Sequence, residues 1–377
     1  MLEAPARATL LLCLMLARSA GAEVEGFGKA AVGGAGGDTC RVLTTATAGA
    51  GSLSACLQSQ RGPRTIVFGV GGRFILPQGT HVSRSRLTID GTTAPAPGVT
   101  IKQTWARNGF GIEAQPRAPV HDVIVRGIRF EGCWSGSGDE SGGDDLFGLD
   151  GEDAEIYNVV IDHCTFTNAA DGTVDITREV RDVTVQWSLF YGNPLTMLVK
   201  YGTRQRLSLH HNVWSKNSER NPQLKGDLRT VDFVNNVVHD WSLPSDPTHR
   251  DGYGTLFWAG GGPSDPPGSP SGNVVNNAFV AVPPKMEGAL VVRVDPGAAP
   301  PRLWIAGNCA SPRLGVASTT EAPLAVPKAA AVTTWPATEL GPRLLPTVGA
   351  PHRTAADQAV IDGVAAALSR LATCRPE

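Results

Sequence analysis

Apolar and polar residues alternate in short runs along most of the chain, and between Val159 and Val238 the alternation returns at a fixed interval. The segments Ile161-Asp-His-Cys-Thr-Phe166, Val185-Gln-Trp-Ser-Leu-Phe190, Leu209-His-His-Asn-Val-Trp214 and Phe233-Val-Asn-Asn-Val-Val238 start 24 residues apart. A constant period of this size marks a solenoid, in which each repeat buries its apolar face only against its neighbours. Each unit is rich in Val, Ile, Phe and Trp and stops after a few residues at Gly, Asn or Asp. That predicts coils of β-strand rather than helical repeats. Val125-Arg-Gly-Ile-Arg-Phe130 lies 36 residues upstream and Val274-Val-Asn-Asn-Ala-Phe279 lies 41 downstream, each reading as one coil plus an insertion. The fourth place of each unit is Cys164, Ser188, Asn212, Asn236 or Asn277. Such a column predicts an inward ladder hydrogen-bonded from coil to coil, because a buried amide must find partners.

Thr65 to Val70, Leu87 to Asp90 and Val99 to Ile101 read as the first, less regular coils. Ahead of them, Gly26 to Gly37 is glycine-rich but follows no strand and lacks a Gly-Lys-Ser or Gly-Lys-Thr ending, so it reads as a tight capping segment and not a nucleotide loop. Ser52 to Gln60 reads as a short capping helix. Glu131 to Asp145 is an acidic, Gly- and Ser-rich insertion, and Ser242 to Asn273 an excursion from the solenoid wall. Beyond about Pro300 the texture turns to Ala and Pro without a repeat. Thr354 to Cys374 then carries apolar residues at helical spacing and is expected to pack back on the solenoid.

Composition narrows the class. With 44 Gly, 28 Pro and 18% charged residues, the chain suits a turn-rich all-β protein. Its 33 basic and 35 acidic residues leave no excess for nucleic acid. Arg7, the apolar run Ala8 to Ala17 and the small residues to Ala22 read as a secretory signal, too short to span a membrane. The layout expected is therefore 1–22 signal, 23–300 solenoid and 301–377 tail, in a secreted monomer with no membrane partner. Six cysteines follow the signal. An even number in an exported chain suggests disulfides. The pairs expected are Cys40 with Cys56, Cys133 with Cys164 and Cys309 with Cys374, the alternative for Cys164 being a reduced residue in the inward ladder.

A solenoid converts sequence phase into position. Asp171 and Asp175 lie 10 and 14 residues after the start of their unit, Lys200 lies 15 after its own, and Arg220 and Lys225 lie 11 and 16 after theirs. With coils about 4.8 Å apart, these five should line one face within roughly 10 Å along the axis. Asp144 or Asp145 on the preceding coil would add a third carboxylate. Clustered oxygen ligands without nearby Cys favour a hard cation, Ca²⁺ before Mg²⁺. Asp162-His163 and His210-His211 fall within the repeat and read as structural, as do Trp187 and Trp214. Asp251, Tyr253 and Trp258 follow the long excursion and are candidates for contact with sugar.

The chain resembles the pectate lyases of polysaccharide lyase family 1. The likeness rests on Val159-Val-Ile-Asp-His-Cys-Thr-Phe166, Asn168-Ala-Ala-Asp-Gly-Thr-Val-Asp-Ile176, Thr196-Met-Leu198, Leu209-His-His-Asn212, Arg220-Asn-Pro222 and Val234-Asn-Asn-Val237. It implies a right-handed parallel β-helix that cleaves polygalacturonate by β-elimination with Ca²⁺. By motif, Asp171 and Asp175 would be calcium ligands, Asp145 the upstream ligand with Asp144 or Asp150 as alternatives, and Arg220 the base. Lys200 and Lys225 would bind the acidic polysaccharide. Leu195 stands where many members carry a lysine, and Lys225 replaces the second arginine of the usual motif, losing bidentate recognition of a carboxylate. Two other readings of the same face remain, a β-helix glycoside hydrolase of the polygalacturonase kind and a glycan-binding solenoid without turnover.

Overall fold

The computed structural model describes residues 23–104, 109–134, 145–228, 230–242, 253–260, 268–280, 288–311 and 331–371. The signal expected at 1–22 and the residues Asp144, Asp251 and Cys374 lie outside them. The repeat read from the sequence is the stacking register itself. Ile66, Ile89, Val125, Ile161, Val185, Leu209, Phe233, Val274 and Ile305 occupy one column of parallel strands. The 36- and 41-residue gaps are each a single coil, as the insertions implied. The protein is a parallel β-helix.

Two parallel sheets form its wall, with sixteen and nine strands among the described residues. The larger is bent. The strand Phe147–Asp162 pairs with Val174–Gln186, and the register shifts between Gly151 and Ile156. Ahead of this corner the sheet continues to Met197–Lys200 and Gln223–Lys225. Past it the sheet continues to Arg206–His210 and Thr230–Val234. Each regular coil therefore presents a first face before the corner, a second face after it, and a third face in the nine-stranded sheet.

Inside, like stacks on like. Phe130, Phe166, Phe190 and Trp214 are in register, with successive ring centroids 5.0, 4.9 and 4.2 Å apart. That is close to the strand spacing, so the backbone repeat itself sets the aromatic contact. The polar column forms the predicted ladder. Ser188 Oγ accepts from the Cys164 amide (3.1 Å), Asn212 Oδ1 from Ser188 (2.9 Å), Asn236 Oδ1 from Asn212 (3.1 Å) and Asn277 Oδ1 from Asn236 (2.8 Å). Asn308 adds a further rung at 2.9 Å. Strands Arg302–Ala306 and Cys309–Ala310 pair with the coil before them. The solenoid thus passes position 300, where the Ala- and Pro-rich texture had hidden it.

Gly26 to Gly37 is not an end cap. It runs along the second face as a strap, crossing coil after coil. Phe27 N donates to Ser208 Oγ (3.0 Å), Gly28 N to Thr184 Oγ1 (2.9 Å) and Gly34 N to Thr88 Oγ1 (3.0 Å). Glycine is required by proximity: a Cβ at Gly28 would stand 2.4 Å from Val159 O, and one at Gly34 1.9 Å from Arg64 O. The helix Leu53–Gln58, N-capped by Ser52, is the expected end cap.

The tail covers the third face. Leu340, Leu344, Val348, Ile361 and Val364 pack on Leu189, Val213 and Val237. The helix Ala355–Leu368 begins with a capping box at Thr354 and Asp357, and Asp357 forms a buried ion pair with Arg129 of the coil. Cys40 and Cys56 are bonded, and Cys309 is also in a disulfide. Cys133 and Cys164 do not pair. Cys164 is a thiol buried in the ladder, near the carbonyls of Val125 and Asp162, and burial pushes it up to about 12. The inward direction that makes it a rung takes it away from any surface partner.

Candidate active site

The first face gathers the charged residues. Asp175 sits in register between Gly148 and Leu198, and its Oδ1 accepts from the Leu198 amide at 3.1 Å. Asp145 precedes the strand beginning at Phe147, and its Oδ1 accepts from Gly172 N at 3.0 Å. A Cβ at Gly172 would lie 2.5 Å from Asp145 Oδ1 and 2.6 Å from Asp175 Oδ1. The missing side chain lets two carboxylates converge on one point, beside Asp171.

Electrostatics record the crowding. Burial, then the charges of Asp175 and Asp171, hold the Asp145 carboxyl well above the usual range, against the pull of Arg220. Asp175 is pushed up to about 6 by burial and Asp171, while Arg220 and Lys200 act the other way. Three carboxylates brought this close, with these cations beside them, cannot all ionise freely without a compensating charge. Their donor set is entirely hard oxygen, and the shared space at Gly172 is where a hard cation such as calcium would be held.

Arg220 is placed by its backbone. It has φ 60°, its carbonyl accepts from Met197 N at 2.8 Å, and its Nε finds no hydrogen-bond partner among the described residues. Behind it runs a second buried amide ladder. Asn217 Oδ1 accepts from the Asn193 amide (3.1 Å), and Asn221 Oδ1 accepts from Asn217 Nδ2 (3.0 Å) and Thr196 Oγ1 (3.2 Å). This positioning network was missed in the sequence, although Asn193 and Asn217 stand 24 residues apart, the coil period.

Lys200 and Lys225 lie in one outward row that runs Thr177, Lys200, Lys225, Trp258, Arg293 across five coils. Lys225 Nζ lies 5.0 Å from the Trp258 ring centroid and Arg293 Cζ 4.6 Å from it. Trp258 Nε1 donates to Asp295 Oδ1 at 2.9 Å. Two of the other sequence candidates point elsewhere. Asp150 pairs with Arg178 at 2.9 Å. Tyr253 is buried, its hydroxyl donating to Gln223 Oε1 at 2.9 Å, so it is a supporting residue and not a sugar contact. Asp162-His163, Trp187 and Trp214 are packing and ladder positions.

Fold and cluster together define a parallel β-helix with a carboxylate-lined, cation-flanked face. Known proteins of this kind match the chain. It is 35% identical over 241 residues to a probable pectate lyase C of Emericella nidulans, covering 62% of this chain and 52% of that protein. Among solved structures, the cedar pollen major allergen jun a 1 matches with a TM-score of 0.65 at 18% identity, over 87% of this chain and 92% of the other. A pectate lyase from Bacillus sp. N165, solved with trigalacturonate, matches with a TM-score of 0.55 at 16% identity, over 86% and 98%. The chain spans little more than half the length of the curated relatives it matches. No family model matches it.

Proposed function

We propose that the protein is a secreted pectate lyase, cleaving polygalacturonate or a related polyuronate by calcium-dependent β-elimination. The observation that carries this reading is the convergence of Asp145 and Asp175 on one point, within the electrostatic reach of Asp171, Arg220 and Lys200. Relatives named pectate lyase support it.

In this reading the three aspartates hold Ca²⁺. Bound there, the ion supplies positive charge next to a uronate carboxylate, stabilising the negative charge that develops at the adjoining C5. Arg220 takes the C5 proton. The electron pair left behind forms the C4–C5 double bond, and the C4–O4 bond breaks with O4 departing and collecting a proton. The arginine side chain can accept this proton only as the neutral guanidine. Lys200, Lys225 and Arg293 line the path of a polyanion, with the half-buried Trp258 in the same row.

The test is ultraviolet absorbance during incubation with polygalacturonate, with Ca²⁺ and with chelator. Unsaturated product should accumulate only with Ca²⁺. New reducing ends without the chromophore would place the protein among hydrolases, and binding without either product would make it a glycan-binding solenoid. Arg220→Ala should lower the rate about 10²- to 10⁴-fold, the usual share of a general base. Ordinary turnover in that variant would remove Arg220 from the mechanism.

A further inference from the structure

A second constellation lies on the second face, where the strap and the tail meet the coils. His210 ends the strand Arg206–His210, and His211 follows with φ 55°. The two Nδ1 atoms face each other at 2.8 Å. Both side chains are buried, at 0% and 1% exposure; His210 also meets the backbone of Glu25, and His211 Nε2 finds no hydrogen-bond partner among the described residues. Glu25 of the strap closes over them. One ligand atom from each of Glu25, His210 and His211 lies within 4.8 Å of the other two. The carboxylate is steadied from outside by Thr333 of the tail, whose amide and hydroxyl donate at 2.9 and 2.5 Å. The strap backbone is fixed by Gln186 and Thr184. Trp187 stacks on His211 at 4.8 Å, and Trp335 meets its edge at 4.5 Å.

We propose that Glu25, His210 and His211 form a second metal site, selective for a borderline cation such as Zn²⁺, that fastens the N-terminal strap and the C-terminal tail to the coil stack. Two imidazoles and one carboxylate are a zinc donor set, unlike the all-oxygen cluster on the first face. Two buried imidazoles and a carboxylate whose ligand atoms lie within 4.8 Å of one another are already assembled around one point. The hydrogen bonds from Thr333 are the outer support that ligating carboxylates usually have. Ligation through both Nδ1 atoms needs only that the proton between them pass to an Nε2, with no net change of charge. The nitrogens then separate from 2.8 Å to about 3.3 Å, the edge of a tetrahedron with bonds of about 2.0 Å.

The experiment uses the full chain, stripped of metal and held in excess Ca²⁺ so that the acidic cluster is occupied. Co²⁺ is titrated in as a visible-absorbing probe, and Zn²⁺ is followed by calorimetry and by thermal melting. One equivalent of Co²⁺ should produce tetrahedral absorption bands, and Zn²⁺ should displace it and raise the Tm. Glu25→Gln, a change at the surface of the strap, should weaken Zn²⁺ binding at least about 10-fold, and His211→Ala should abolish it. Asp171→Asn should bind Zn²⁺ like the parent. Absence of a Co²⁺ band and of a Zn²⁺-induced Tm rise in the parent overturns the proposal. So does equal affinity in Glu25→Gln, or loss of Zn²⁺ binding in Asp171→Asn, which would assign the zinc to the first face.

Discussion

Asp175 carries opposing demands on a single carboxylate. Its folded pKa of about 6 stands above the ordinary 3.8, so the folded state holds this proton more tightly than the unfolded chain does. The metal-free fold is then penalised once the carboxylate must ionise. The penalty appears above pH 4, grows up to about pH 6 and stays constant beyond. Its size is on the order of 3 kcal/mol. Asp175→Asn removes it while keeping an oxygen for the Leu198 amide. In chelator at pH 8 the variant should melt above the parent, and at pH 4 the two should coincide, as scanning calorimetry would report. Added Ca²⁺ should raise the Tm of the parent and not of the variant, which should also lose turnover. A variant that melts below the parent in chelator at pH 8 would mean that Asp175 is stabilised without metal. The expected outcome would make this a position where stability is exchanged for binding.

Within the coil, the asparagine ladder is the element most open to test. Asn236 Oδ1 receives both the backbone amide and the side-chain Nδ2 of Asn212, and its own Nδ2 donates to Leu209 O. Asn236→Leu fills the space but leaves the Asn212 backbone amide without its acceptor and Leu209 O without this donor, at about 1–3 kcal/mol each, while Asn212 Nδ2 keeps Val185 O. Urea unfolding should register a loss of about 2–5 kcal/mol, and a loss under 1 kcal/mol would mean that the ladder relaxes around the change. The ladder was legible because its chemistry recurs at the coil period, and so was the phase that brings Asp171, Asp175, Lys200 and Arg220 to one face. What escaped depended on distance in sequence. The strap's hydroxyl partners carry no local signal, since Ser208 and Thr184 look like ordinary strand residues. Cys164 gave two equal readings because spacing reports phase and not side-chain direction. The coil ending at Ala310 was hidden by composition, although Asn308 already stood in the ladder.

At the scale of the molecule, the second face takes the strap and the third the tail. The tail hangs on the Arg129–Asp357 pair, whose side chains are 5% and 0% exposed. Asp357→Ala strands a buried guanidinium and also removes half of the capping box, and should cost about 3–5 kcal/mol. Limited proteolysis should then cut the helix Ala355–Leu368 first while any turnover of polygalacturonate persists, because the described residues of the tail pack on the third face. Equal resistance to protease in variant and parent would show that apolar packing alone holds the tail. The strap has a consequence of another kind. A solenoid is coupled only between neighbours and can peel from either end. Here, hydrogen bonds from residues 27, 28 and 34 reach partners 181, 156 and 54 positions later, gripping the neighbouring coils of Ser208 and Thr184 and, three coils away, that of Thr88. Such a tie makes peeling at one end felt several coils away, so the stack should melt as one unit. It also inverts the order of manufacture: the tie emerges from the ribosome before anything it fastens, and Phe27 must wait for Ser208 before it can dock.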